Sequence, residues 1–154
     1  MTVESAGLVL YRVRDGKPEV LLVHPGGPFW KRREAGAWSI PKGEMGAGES
    51  RLDVARREFQ EELGVPPPEG DVSSLGSLRQ AGGKVVHAWA LSGDLDVSRV
   101  SSSTFAIEWP PRSGKTQEFP EVDKAAWFDL EAARRMILAA QSAFLDRLEA
   151  QLSS

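Results

Sequence analysis

The sequence predicts an α/β fold, a mixed β-sheet covered on both faces, formed by one domain over residues 1–154. Three observations predict it. Short apolar segments bounded by turn residues run through both halves of the chain. Residues 50–63 carry apolar side chains at helical spacing, and a long helical segment follows a last strand at 125–128. Strands interleaved with two helical segments pack most simply as a sheet with a helix layer on each side.

Each element has its own signal. Residues 7–13 (Gly-Leu-Val-Leu-Tyr-Arg-Val) read as a strand, Asp15-Gly16 as the turn, and residues 19–24 as a second strand. Pro25-Gly26-Gly27-Pro28 breaks regular structure, and a polar loop with Lys31, Arg32 and Arg33 follows. Trp38-Ser39-Ile40 is a short apolar stub ended by Pro41. In the helix at 50–63, Ser50 and Asp53 form a capping-box pair, and Leu52, Ala55, Phe59 and Leu63 make one apolar face. Gly64 is its C-terminal cap, and Pro66-Pro67-Pro68 prevents continuation. Residues 75–80 and 84–91 read as strands around an Ala81-Gly82-Gly83 turn; residues 105–109 alternate and read as another. Residues 110–119 read as a loop. After the strand at 125–128, Asp129 caps a helical segment over residues 130–152 that breaks near its middle.

Composition excludes several classes. With 154 residues, 41% hydrophobic and 27% charged, the chain is one globular unit and neither disordered nor fibrous. A net charge of −3 carries no whole-molecule nucleic-acid footprint, so no nucleic-acid partner is expected. The chain has no cysteine, hence no disulfide, thiolate metal site or cysteine nucleophile. Residues 1–6 lack a basic stretch followed by an apolar one, and no apolar run reaches membrane-spanning length. A cytoplasmic protein with no membrane partner is expected.

The chemistry concentrates on the helix at 50–63. Glu58 and Glu62 are four residues apart, and Glu61 follows Glu58 by three, so their carboxylates share one region of surface. Like charges at that spacing cost a helix roughly 0.2–0.5 kcal/mol per pair. A divalent cation removes the penalty, and Mg²⁺ favours such oxygen ligands. Arg57 stands beside Glu58 and four before Glu61, placed to hold a carboxylate by a charge-assisted hydrogen bond. A solvated acidic face is the plainer reading of two glutamates on a helix; the wider spacing argues against it. Gly43, five residues, Glu49, seven residues, then Arg57-Glu58-Phe59-Gln60-Glu61-Glu62-Leu63-Gly64-Val65 resembles the Nudix hydrolase box at every fixed position. Seven such matches arise by chance on the order of once in 10⁸ starting positions.

The resemblance implies a Nudix-type α/β/α sandwich with a mixed central sheet, and hydrolysis of a P–O–P bond with Mg²⁺ or Mn²⁺. It implies Glu58, Glu61 and Glu62 as metal-binding carboxylates, with Glu58 nearest the general-base role, and Glu49 as their support. Arg57 is implied to orient Glu58, and Gly43 to let a backbone carbonyl approach the metal. The family often adds an acid from a late loop; Glu121 is the first candidate and Glu118 the second. Lys42, next to Gly43, is expected to face the phosphates, with Lys31, Arg32 and Arg33 as further cations. Trp38, Trp30 and Phe29 are candidates to stack on a base, and each is also a good packing residue. His24 and His87 have no metal-ligand spacing and read as structural.

The segment Trp38-Ser39-Ile40-Pro41-Lys42-Gly43 is similar to that of the branches acting on dinucleoside and diphosphoinositol polyphosphates. Where the dinucleoside branch commonly carries a stacking tyrosine, this chain has Ala81-Gly82-Gly83, and its one tyrosine is Tyr11. The expected substrate is a small nucleotide or polyphosphate, with a dinucleoside polyphosphate or nucleoside triphosphate favoured. The alternative is a Nudix-fold module that senses a nucleotide without cutting it. A calcium-binding loop fails for want of alternating Asp/Asn ligands, and Gly114-Lys115-Thr116 lacks the earlier glycine of a P-loop, position 109 being Trp.

Overall fold

The computed structural model describes residues 3–154; Met1 and Thr2, the start of the N-terminal stretch read above, lie outside them. Eight strands and three α-helices follow in the order β1 (Glu4–Arg14), β2 (Lys17–Pro25), β3 (Lys42–Glu44), α1 (Arg51–Leu63), β4 (Val72–Arg79), β5 (Val85–Ser92), β6 (Thr104–Glu108), β7 (Thr116–Pro120), β8 (Val122–Asp129), α2 (Leu130–Met136) and α3 (Ser142–Ser153). The main sheet runs β4-β5-β1-β2-β8, with β3 added alongside β1. Among the described residues only the strands β1 and β5 pair in parallel, so the sheet is mixed, as expected.

Alternation along the central strands builds two cores. Ala6, Leu8 and Leu10 of β1, with Leu21 and Val23 of β2, face α1 and meet Val54, Ala55, Phe59 and Leu63. The intervening Val9, Val20 and Leu22 face the other way, against Leu130, Ala133, Phe144, Leu145 and Leu148 of α2 and α3. The result is the α/β/α sandwich. On α1, Val54 joins the buried face and Leu52 is only half-buried, a rotation of the apolar stripe from the one expected.

The helix ends follow their sequence signals. Ser50 Oγ accepts the Asp53 N–H at 3.2 Å, one half of the capping box, and Gly64 ends α1 at φ 73°. Asp129 Oδ1 accepts the Ala132 N–H at 2.8 Å, and the C-terminal helix breaks between Met136 and Ser142 as expected.

One expectation is corrected. Residues 110–119 are not all loop: β7 pairs antiparallel with β6 from Thr104↔Pro120 to Glu108↔Thr116, forming a separate two-stranded sheet. Thr116-Gln117-Glu118-Phe119 alternates weakly, and only Phe119 escapes full exposure, so no apolar face marks the strand in sequence.

The site's position comes from a split beside β1. The C-terminal half of β1 pairs with β2, whereas Ser5, Ala6 and Gly7 pair with Glu44, Gly43 and Lys42 of β3. Residues 38–41 run between: Val23 and Ser39 exchange backbone hydrogen bonds at 2.9 and 3.0 Å, and Leu8 N–H donates to the Pro41 carbonyl at 3.2 Å. Buried Gln141 locks the segment from the other layer, its Oε1 accepting the Ile40 N–H at 3.0 Å and its Nε2 donating to Ser39 Oγ at 3.0 Å. Lys42 and Gly43 are thereby delivered to the flank of α1.

Candidate active site

Arg57 organises the acidic face of α1. Its Nε and Nη2 donate to both oxygens of Glu49, at 2.8 and 3.0 Å. Its Nη1 donates to Glu58 Oε1 at 2.9 Å and to Glu61 Oε1 at 3.2 Å. The bidentate pair holds Glu49 below the usual carboxylate range, and the same bonds raise the Arg57 guanidinium further. The Gly46 N–H adds a bond to Glu49 at 3.2 Å, fixing the loop that leads into the helix.

Glu58 and Glu62 stand differently. Only one oxygen of Glu58 is taken by Arg57, and its side chain is 14% exposed. Burial and the neighbouring Glu61 charge raise its pKa against the pull of Arg57. Glu62 accepts the Lys42 backbone N–H at 2.8 Å and, among the described residues, makes no side-chain ion pair. Burial pushes its carboxyl up to about 8, opposed by that hydrogen bond and by the Lys42 charge. The Glu121 charge disfavours ionisation of both Glu58 and Glu62.

Gly43 faces Glu58. A Cβ at position 43 would collide with the Glu58 carboxyl group, so this position is glycine because the carboxylate lies against its backbone. Beside this contact opens a cleft of about 210 Å³ lined by Lys42, Glu62, Glu121, Ser39, Trp30 and Pro25, among others. Glu121 reaches it because the first turn after β7 is pinned: Gly26 N–H donates to the Glu121 carbonyl, and Glu121 N–H to the Ser103 carbonyl, both at 2.9 Å. Glu118, the second candidate, lies on β7 opposite Ala106 and outside that lining.

The other cations and aromatics separate. Arg32 is exposed on the loop and does not line the cleft. Trp38 is corrected: it is 3% exposed, with its ring edge-on to His24 and Phe128 at 5.2 and 5.0 Å, and no face is open to a base. The backbone bonds of Ser39 turn the Trp38 side chain into the layer of α2 and α3. Trp30, named beside it in the sequence, lines the cleft instead. His24 is fully buried, with Nδ1 2.8 Å from Asp123 Oδ1 and Nε2 on the Arg33 carbonyl, joining β2, the following loop and β8. His87 lies 2.7 Å from Glu4, so each histidine has a packing role.

Among the described residues no three His, Asp or Glu side chains converge closely enough to hold a metal as they stand. Arg57 instead occupies oxygens of Glu49, Glu58 and Glu61 with its own hydrogen bonds. The donor set still suits a hard divalent cation. The carboxylates of Glu58, Glu61 and Glu62 are hard oxygen donors, and Glu62 is a desolvated acid with no cationic hydrogen-bond partner among the described residues.

The buried Glu62 carboxyl also sets a stability test. Its pKa rises from 4.5 to about 8 on folding. Its contribution is therefore fully present below about pH 4.5 and is lost as pH rises through about 8. The cost at high pH is at most about 5 kcal/mol. In chelator, Glu62→Gln, which keeps an acceptor for the Lys42 N–H, is expected to raise Tm by about 4–10 °C near pH 9 and by little near pH 5. Equal shifts at both pH values in a thermal melt contradict the desolvated-acid assignment.

Comparison with known proteins identifies the family. The NUDIX domain profile matches residues 1–148. The chain is 37% identical over 82 residues to an RNA pyrophosphohydrolase of Legionella pneumophila, covering 52% of this chain and 42% of that protein. It is 38% identical over 65 residues to the asymmetrical bis(5'-nucleosyl)-tetraphosphatase of Caenorhabditis elegans, covering 42% of this chain and 43% of that one. The matched segments thus span less than half of these curated relatives. A crystal structure of a C. elegans Ap4A hydrolase binary complex superposes with a TM-score of 0.70 at 26% identity, over 97% of this chain and 98% of that one. Fold, box and sequence match together show that this chain belongs to the NUDIX domain family.

Proposed function

We propose that this chain is a Mg²⁺- or Mn²⁺-dependent pyrophosphohydrolase acting on substrates with three or more linked phosphates, dinucleoside polyphosphates first. The observation that carries the reading is the pair Glu58 and Glu62, one helical turn apart, both desolvated and raised in pKa beside Gly43 and Lys42. A solvated acidic face has neither the burial nor the raised values. Glu58, Glu61 and Glu62 with the Gly43 carbonyl would hold the metal, which when bound stabilises charge on phosphate oxygens and lowers the pKa of its water.

The chain's own groups divide the remaining work. Water attacks one phosphorus of the P–O–P bridge, and the bond from that phosphorus to the leaving phosphate oxygen breaks. Glu58 takes the water proton on Oε2, the oxygen that Arg57 leaves free. Arg57, anchored by Glu49, sets the orientation of Glu58. The Lys42 ammonium, on the cleft wall, holds the phosphates beyond the bridge. Glu121 contributes a further carboxylate from the lining of the same cleft. Glu121→Gln is expected to lower turnover less than substitution of Glu58, and an effect no larger than that of an unrelated surface glutamate removes it from the site.

The relatives named for RNA pyrophosphate and tetraphosphate cleavage support the reaction class. The test is release of phosphate or nucleotide from nucleoside triphosphates, dinucleoside polyphosphates, nucleotide sugars and inositol pyrophosphates with Mg²⁺ or Mn²⁺. Tight binding of one of them without turnover identifies a sensing module instead. Within the panel, kcat/KM for diadenosine tetraphosphate is expected to exceed that for ADP-ribose. Lys42→Ala should raise KM for the longer phosphate chain by about tenfold, the loss of one charge-assisted contact, and raise it less for the shorter. ADP-ribose as the better substrate contradicts the polyphosphate preference while leaving pyrophosphate cleavage intact.

A further inference from the structure

The β6–β7 hairpin carries a second cleft that the phosphate chemistry does not use. It encloses about 380 Å³, within the range of small-ligand sites. Its walls include Lys31 from the loop after β2, Trp109 at the end of β6, Gln117 and Phe119 of β7, and Pro120. Phe29 stands at Trp109, the two rings edge-to-face at 5.4 Å, and is 66% exposed. An exposed phenylalanine beside a half-buried tryptophan does little for the core, which lies in the two layers around the main sheet.

This cleft is built from chain segments adjacent to those of the phosphate cleft. Pro25, Trp30, Glu121 and Val122 line one, and Gly27, Lys31, Pro120 and Asp123 line the other, so the same two strips of chain form both walls. The strips are fastened together. A Cβ on Gly26 would collide with the Pro120 carbonyl, and one on Gly27 would lie 2.9 Å from the Phe105 ring. The hairpin is thus held against the loop, with the aromatic pocket one or two residues along the wall from Glu121.

The pocket's chemistry is selective. Aromatic rings supply stacking surface, Lys31 supplies a cation, and Gln117 supplies an amide with no hydrogen-bond partner among the described residues. Asp123 also reaches the wall, but its carboxylate is engaged by His24. A glutamine amide donates and accepts in parallel and matches the N6/N7 edge of adenine.

We propose that the Phe29–Trp109 pocket seats a purine base of the substrate, with Trp109 and Phe29 as its stacking surface and Gln117 as its edge reader. The proposal rests on the polyphosphate reading above and extends it to the nucleoside. It also supplies the stacking platform missing at residues 81–83, where the chain has Ala-Gly-Gly.

The test compares a ligand with a base and one without. Adenosine 5'-tetraphosphate and inorganic tripolyphosphate are titrated calorimetrically into the full chain and its variants in the presence of chelator. Trp109→Ala is expected to weaken adenosine tetraphosphate binding by about tenfold, the usual loss for one base-stacking aromatic, and to change tripolyphosphate binding less than twofold. Trp109→Phe should restore most of the affinity. Phe29→Ala, on an exposed loop where folding is not at stake, should weaken the same ligand severalfold, and Gln117→Ala should narrow the preference for adenosine over cytidine tetraphosphate. Equal losses for the two ligands, or unchanged affinity in Trp109→Ala and Phe29→Ala, overturn the subsite alone. If the parent protein binds neither ligand and hydrolyses none of the panel, the polyphosphate reading falls and the subsite with it.

Discussion

Glu58→Gln and Glu62→Gln are each expected to lower turnover by about 10²-fold or more, the lower range for loss of an acid–base group. The substitution is nearly isosteric, so what changes is charge and proton affinity. Glu58 loses the free oxygen that receives the proton while its amide can still accept from Arg57. Glu62 keeps an acceptor for the Lys42 N–H but no longer presents an anion at the cleft wall. Neither residue belongs to the buried face Val54, Ala55, Phe59 and Leu63, so the fold should survive. Initial rates with saturating Mg²⁺ or Mn²⁺, beside thermal melts of the same preparations, separate the two effects. Near-normal turnover in both variants would falsify the assignment of the site. A loss in Glu62→Gln accompanied by a higher Tm in chelator at alkaline pH would show the desolvated carboxylate retained at a cost in stability.

The helix and its box were legible because their information is local. Ser50, Gly64 and the 3.6-residue period fix where α1 begins, ends and faces, and the same period brings Glu58 and Glu62 together. The pairing of Gly43 with Ala6 was not legible. It depends on β1 dividing its edge between β2 and β3, a matter of sheet topology rather than of residues near position 43. Trp38 shows the same limit from the other side. Its neighbours Ser39 and Lys42 line the cleft, yet its own ring belongs to the opposite layer. Gln141, more than a hundred residues away, holds that segment by its amide, and no local pattern announces the contact. The β7 strand has no sequence signal because it pairs with β6 alone and has no buried side chain to set a period.

Gly43→Ala is expected to lower turnover by about 10²-fold while shifting Tm by no more than about 3 °C. The backbone at position 43 does not require positive φ, so alanine meets no conformational barrier there. The nearest obstacle is the Glu58 carboxyl group, which occupies the space a Cβ needs. That group is the far end of a flexible side chain and can swing away cheaply, toward the Nη1 of Arg57 that it already contacts. The sheet therefore tolerates the change, and the proton-accepting oxygen is moved from its place; displacement by about an ångström is enough for a loss of this size. Gly64→Ala provides the contrast. That residue sits at φ 73° with the Ser101 backbone against it, so the cost there falls on stability. Non-additivity identifies the cause in Gly43→Ala. If it acts by displacing Glu58, adding it to Glu58→Gln should cost little further activity, because both changes remove the same group. Two independent losses that multiply would place the role of Gly43 elsewhere, in its own carbonyl or in the β1–β3 pairing.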